Sequence, residues 1–260
     1  MRFLLPMLLL LQAAGTDSDK SLQDALNSRY ARKLLTVRDF LIGPRLLFDS
    51  DGKYISGGSP GVFTLDGTIR VDSIKVNPDR VEIRGRQSFL NYNVRTQMLE
   101  EFQGNNTIRL EFARKPGVPM EPGIDAVLLP LDRLAALVPA HWTRFLQGKV
   151  NPQPVVDPVT GVLVPRASET QKLVPRLIRQ VTPQYPLALK PYGITGSVLL
   201  HVIVDENGKA TVADIMEPAG FGMDHAAIEA VQQWEYEPAR AEGKPVKVYF
   251  RVRVNFSPPR

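Results

Sequence analysis

The chain has 260 residues, three histidines (His141, His201 and His225) and no cysteine. Few side chains are therefore suited to acid–base, covalent or metal chemistry near neutral pH. No two of the histidines stand at a spacing that would bring them to one metal ion. His201 falls within an alternating strand and His225 in the first turn of a helix. Ser59 and Ser197 lack the strand–turn–helix setting of a nucleophile elbow. Asp49 with Asp51, and Asp205 with Glu206, sit at hairpin turns, where carboxylates are turn formers. The stretch Gly57-Gly58-Ser59-Pro60-Gly61 has no following helix and no Lys-Ser/Thr pair, so it reads as a loop and not a phosphate cradle. The reading is a protein with no catalytic residue, no metal site and no cofactor. The enzymatic alternative is a carboxylate pair from residues 33–150 acting on glycan.

What the chain does offer is backbone chemistry near its end. From Val246 to Phe256 apolar and polar residues alternate. Val246, Val248, Phe250, Val252, Val254 and Phe256 share one face, and Lys247, Tyr249, Arg251, Arg253 and Asn255 the other. A period of two buries the first set and wets the second. Such a strand at a sheet margin can take up another chain's backbone.

The elements that would position it lie just upstream. A short helix starts at Tyr185-Pro186 and stops at Pro191. Ser197–Val204 alternates, and Asp205-Glu206-Asn207-Gly208 turns the chain, Asn-Gly being a strong hairpin signal. Ala210–Glu217 returns. Met223–Trp234 is a helix with Ala227, Ile228, Val231 and Trp234 on one stripe and Asp224 in its first turn. Trp234 and Tyr236 fill the corner before the last strand. The order is helix-strand-strand-helix-strand, a three-stranded antiparallel sheet in an α+β chain.

Residues 178–257 resemble the TonB C-terminal domain family. The resemblance rests on Pro183-Gln184-Tyr185-Pro186, Gly193-Ile194-Thr195-Gly196, the Asp205–Lys209 turn, Trp234-Glu235-Tyr236-Glu237-Pro238 and Gly243-Lys244-Pro245-Val246. It implies a periplasmic domain that grips a short extended segment, the TonB box, of an outer-membrane receptor. The box adds as a strand to the sheet edge, and main-chain hydrogen bonds supply the affinity. The resemblance puts Lys247, Tyr249, Arg251, Arg253 and Asn255 at that edge, with Thr182, Gln184 and Tyr185 touching the peptide. Thr182 stands where better-known members carry glutamine. Pro186, Gly196, Trp234, Tyr236 and Pro238 are the structural motif. Arg251, Arg253 and Lys247 favour a partner segment with acidic residues.

The rest of the chain departs from TonB proper, which has a retained anchor and a long Pro-rich spacer. Residues 1–15 read as a signal peptide: Arg2, an apolar run Phe3–Leu11, then Ala13-Ala14-Gly15. The run is short of the roughly 20 residues that span a bilayer, and no cysteine marks a lipoprotein. Residues 16–148 read as a β-rich domain with a C-terminal helix. Turn signals at Asp51-Gly52, Asp66-Gly67 and Asn77-Pro78-Asp79 separate Leu46–Phe48 from Tyr54-Ile55, Val62–Leu65 from Ile69–Val71, and Ile74–Val76 from Val81–Ile83. A short helix covers part of Ser21–Tyr30, a strand Thr107–Ala113, and a helix broken at Pro139 runs from Pro130 to Gln147. Residues 149–176 read as a Pro-rich linker, spanning at most about 90 Å when extended, and 177–260 as the TonB-like domain.

Hydrophobic content of 43% and charged content of 23% describe a folded globular chain. The net charge of +5 is scattered, with no aromatic–basic signature of nucleic-acid binding. The leading expectation is an exported periplasmic, non-enzymatic envelope protein that binds an extended peptide of an outer-membrane receptor or other partner. The alternatives are an energy transducer held in the inner membrane by residues 1–14, supporting TonB-dependent transport across the outer membrane, and a homodimer formed through the last strand.

Overall fold

The computed structural model describes residues 5–148, 154–167 and 173–260, with side chains from residue 17. The expected leader thus lies outside the described side chains, as do residues 149–153 and 168–172 of the expected linker. Two compact units are present. The first joins the chain up to Phe89 with Glu101–Leu137, and the second joins Leu90–Glu100 with Val138–Arg260. The second unit therefore starts before the expected boundary at 148 and includes a hairpin tip from the first half of the sequence.

In the first unit, helix α1 (Leu5–Tyr30) precedes a seven-stranded sheet. Its strands are β1 (Leu34–Val37), β2 (Arg45–Phe48), β3 (Tyr54–Ser56), β4 (Thr68–Val76), β5 (Arg80–Asn93), β6 (Met98–Ala113) and β7 (Leu128–Leu129). The spatial order is β3-β2-β6-β5-β4-β1-β7. The hairpins at Asp51-Gly52 and Asn77–Asp79 form as the turn chemistry predicts. The Asp49 carboxylate accepts from the amides of Asp51 and Lys53 at 2.9 Å each, and Asn77 N–H donates to Arg80 at 2.8 Å. The expected strand at Val62–Leu65 is instead a turn, closed by the Asp66 carboxylate accepting from Val62 N–H at 2.9 Å. Leu26 and Tyr30 of α1 are buried with Leu46, Ile69, Ile83, Leu110 and Phe112. Helix α2 (Glu121–Val127) is held to α1 by Asp125, which accepts from Tyr30 Oη at 2.7 Å and pairs with Arg29. Among the described residues no helix is long and apolar enough to cross a membrane.

The helix expected over 130–147 breaks at Pro139, as its sequence predicts. A 3-10 turn spans Leu131–Ala136 in the first unit, and α3 (Ala140–Leu146) belongs to the second. There Trp142 and Phe145 of α3 cluster with Tyr92, ring centroids 6.1 and 5.1 Å away. Beside them Phe221 N–H donates to Leu90 at 2.7 Å. Gly220 makes this approach possible: φ is +79°, and a Cβ would sit 2.4 Å from the Leu90 carbonyl.

The remaining strands of the second unit are β8 (Arg176–Arg179), β9 (Gly196–Val204), β10 (Ala210–Glu217), β11 (Glu235–Glu237), β12 (Ala239–Ala241), β13 (Lys244–Val246) and β14 (Val248–Phe256). The expected three-stranded antiparallel sheet is present, in the order β10-β9-β14. A 3-10 turn, Leu187–Tyr192, stands for the first helix. Helix α4 (Met223–Val231) buries Met223, Ala226, Ala227, Ala230 and Val231, and Ile228 only in part. It packs on β9 and β10. Trp234, beyond its end, starts the corner that pairs as β11 with β8.

Candidate peptide-binding margin

Strand β14 is an outer strand of the C-terminal sheet, paired antiparallel with β9 from Val248↔Val204 to Phe256↔Gly196. The expected faces hold in the second half of the strand and at Val248: Val248, Val252, Val254 and Phe256 are buried and Arg251, Arg253 and Asn255 exposed, while Phe250, expected inside, and Lys247 and Tyr249, expected outside, are all half-buried. Its start differs from the expected Val246. Val246 pairs with Ala239 in the small β12–β13 hairpin, and the chain re-enters a ladder only after Lys247.

In an antiparallel pair, alternate residues turn their backbone groups toward the partner strand or away from it. Tyr249 turns outward, since its amide donates to Pro165 at 2.9 Å and its carbonyl accepts from Ala167 at 2.7 Å. Arg251, Arg253 and Asn255 share its parity. Among the described residues, no backbone hydrogen bond reaches that side of these three. The margin therefore offers N–H and C=O groups at three successive outward positions and is already engaged at a fourth.

The engaged rung comes from residues expected to form an extended linker. Residues 154–167 are folded instead. Val156 bridges Leu163, Asp157 N–H donates to Val162 at 2.9 Å, and Gly161 N–H donates to Asp157 at 2.8 Å. Val155 and Val164 are buried against Ile203, with Ala213 and Tyr249 packed around them. The sequence did carry a signal: two apolar runs, Val155-Val156 and Val162-Leu163-Val164, flank Asp157-Pro158-Val159-Thr160-Gly161. Proline content obscured it.

Lys247 is part of this attachment. Its ammonium lies 2.5 Å from Asp157 Oδ2. The lysine, with the amides of Val159 and Thr160, pulls the Asp157 carboxyl down to about 2. Arg253 is also committed, donating to Glu217 at 2.9 Å and to Ser197 Oγ at 3.1 Å. Arg251 and Asn255 make no side-chain hydrogen bond or ion pair among the described residues. His201, opposite Arg251 in register, is 4% exposed, and its ring centroid is 5.1 Å from that of Tyr249. Burial, then Arg251, Arg144 and Arg166, lower its pKa.

Thr182 and Gln184 are exposed, but on the separate segment leading into the 187–192 turn. Tyr185 is buried and donates its hydroxyl to the Ile194 carbonyl at 2.7 Å, which makes it a strut of that turn. The other motif residues also support the frame. Pro186 caps the turn. A Cβ on Gly196 would lie 2.6 Å from Met223 Sδ. Trp234 Nε1 donates to Val181 at 2.8 Å, fixing the segment before the turn. Tyr236 stacks edge-on to Phe250 at 5.5 Å, and Pro238 is half-buried beside it in sequence. Among the described residues no group of three or more His, Asp or Glu side chains could hold a metal ion.

Residues 181–258 match the family model described as Gram-negative bacterial TonB protein C-terminal. Protein TonB of Vibrio cholerae serotype O1 is 30% identical over 78 residues, 30% of this chain and 32% of that protein. Protein TonB of Xanthomonas campestris pv. campestris (strain B100) is 33% identical over 76 residues, 29% of this chain and 34% of that protein. The match thus spans about a third of the length of these relatives. The C-terminal portion of the chain, with its three-stranded sheet and crossing helix, is TonB-like in sequence.

Proposed function

We propose that the chain is an exported envelope protein of the periplasm whose C-terminal unit binds an extended peptide by strand addition to β14. The peptide belongs to an outer-membrane TonB-dependent receptor or another envelope protein. The observation that carries this reading is the row of outward backbone groups at Arg251, Arg253 and Asn255, exposed on an outer strand. Main-chain pairing there needs little fixed sequence in the partner. Residues 154–167 limit the accessible ladder to the half of β14 beyond Tyr249. The role is binding and not catalysis, and it uses no cofactor.

The test is direct binding of synthetic N-terminal peptides of outer-membrane receptors to the full chain. Saturable binding that is lost in a folded Arg251→Pro variant supports strand addition. Equal binding by the folded variant would sink it.

The name shared by the relatives favours a second reading, an energy transducer with residues 1–14 retained as an anchor. N-terminal sequencing of the mature protein separates the two. A start near Thr16 ends the transducer reading, and an intact Met1 or Arg2 start ends the cleaved one.

A further inference from the structure

The 154–167 hairpin and strand β14 bring two guanidinium groups to one side of the sheet. Arg166 bridges Tyr249 in parallel register, and residues bridged in a ladder project their side chains to the same face. Arg251 follows Tyr249 by two positions and shares that face. Diagonal neighbours across a ladder lie about 7–8 Å apart, within reach of two long side chains. Both arginines are exposed, and neither makes a hydrogen bond or ion pair among the described residues.

Across from Arg251 in register, on β9, lies His201, buried, with Nδ1 lacking a hydrogen-bond partner among the described residues. Three carboxylates of this unit are already committed: Asp157 to Lys247, Asp214 to Arg144 and Glu217 to Arg253. Among the described residues the two guanidinium groups have no anionic partner, and the His201 ring stands beside one of them across the ladder.

We infer that Arg166 and Arg251 clamp one carboxylate of the bound peptide, a Glu or Asp side chain on the residue paired with Arg251. This rests on the strand-addition reading. Guanidinium–carboxylate pairs are directional and stronger than neutral hydrogen bonds. The hairpin therefore occupies one rung of the margin and also supplies half of the recognition site for what adds beyond it.

The test uses the isotopically labelled full chain and two kinds of probe. Succinate is titrated while the His201 ring signals are followed. A saturable shift is expected, weakened roughly fivefold or more in Arg166→Ala and in Arg251→Ala and unchanged in the Arg240→Ala charge control. No shift overturns the clamp, and inorganic phosphate binding more tightly than succinate overturns its assignment to a carboxylate. The second probe is the capped peptide Thr-Glu-Thr-Val-Thr against its Thr-Gln-Thr-Val-Thr counterpart. The Glu peptide should bind roughly tenfold tighter, with the gap closed in Arg166→Ala. Equal binding of both overturns the clamp and leaves strand addition standing. If neither binds while succinate still shifts His201, a peptide is overturned as the ligand.

Discussion

Tyr249 of the outer strand donates its amide to the Pro165 carbonyl at 2.9 Å. This bond fixes the parity of the whole margin. Residues 249, 251, 253 and 255 face outward, and 248, 250, 252, 254 and 256 face β9. A proline at Phe250 would therefore break the internal ladder, whereas one at Arg251 spares that ladder and removes an outward donor together with the guanidinium. Arg251→Pro is expected to keep most of the thermal stability of the wild type and to lose peptide binding. Phe250→Pro should lose stability by several kcal/mol, of the order of 3. Thermal melts beside peptide titrations check the contrast.

The Lys247–Asp157 pair holds the hairpin against β14, and its pH dependence has a defined sign. The folded-state pKa of Asp157 is depressed, so its contribution is complete above the usual carboxylate value and is lost as pH falls from about 4 toward about 2. Hydrogen exchange at the Tyr249 and Ala167 amides should quicken across that window, after correction for intrinsic rates. In Asp157→Asn, protection of these amides should be lower at neutral pH and show no such step.

Asp224 titrates in the opposite direction. It is 1% exposed and accepts from the amides of Ala219 and Gly220 at 3.0 and 2.7 Å. Burial outweighs these bonds and pushes its pKa up to about 7. The folded state then binds a proton more tightly than the unfolded chain. The stabilisation is full below about 4 and declines as pH rises toward 7. Relative to wild type, Asp224→Asn should flatten that decline, at a cost of about 1 kcal/mol for the weakened acceptor. Chemical denaturation at pH 4, 5.5 and 7 measures both.

Gly208 closes the β9–β10 turn with φ at +84°, and a Cβ there would sit 1.8 Å from the Tyr236 carbonyl. Its own carbonyl accepts from Tyr236 N–H at 2.9 Å. Gly208→Ala is expected to destabilise the second unit by roughly 2–3 kcal/mol. Gly243→Ala, at a similar φ but in open space, should cost less. Denaturant midpoints rank the two.

Much of the C-terminal unit was legible because its periods are regular. The alternation of β9 and β14, the Asn207-Gly208 turn and the apolar stripe of α4 each dictate their own local structure. Less regular features were not. Nothing in Pro183-Gln184-Tyr185-Pro186 says that the tyrosine hydroxyl turns inward to Ile194, which depends on where the following turn returns the chain. Strand β14 starts late because Pro245 and Val246 pair with β12, a tertiary choice that periodicity cannot register. Residues 154–167 were masked by their prolines, yet they fold because Val155 and Val164 find Ile203. Helix α2 carries Pro122 and Gly123, two poor helix formers that hide it from a periodicity reading, although proline suits a first helical turn.

Hydrogen exchange of the full chain with and without a bound receptor peptide tests the central claim most directly. Strand addition predicts that the amides of Arg251, Arg253 and Asn255 become protected on binding, while those of Val252 and Val254, already bonded to β9, change little. A bound peptide that leaves the three outward amides exchanging as before would contradict the account.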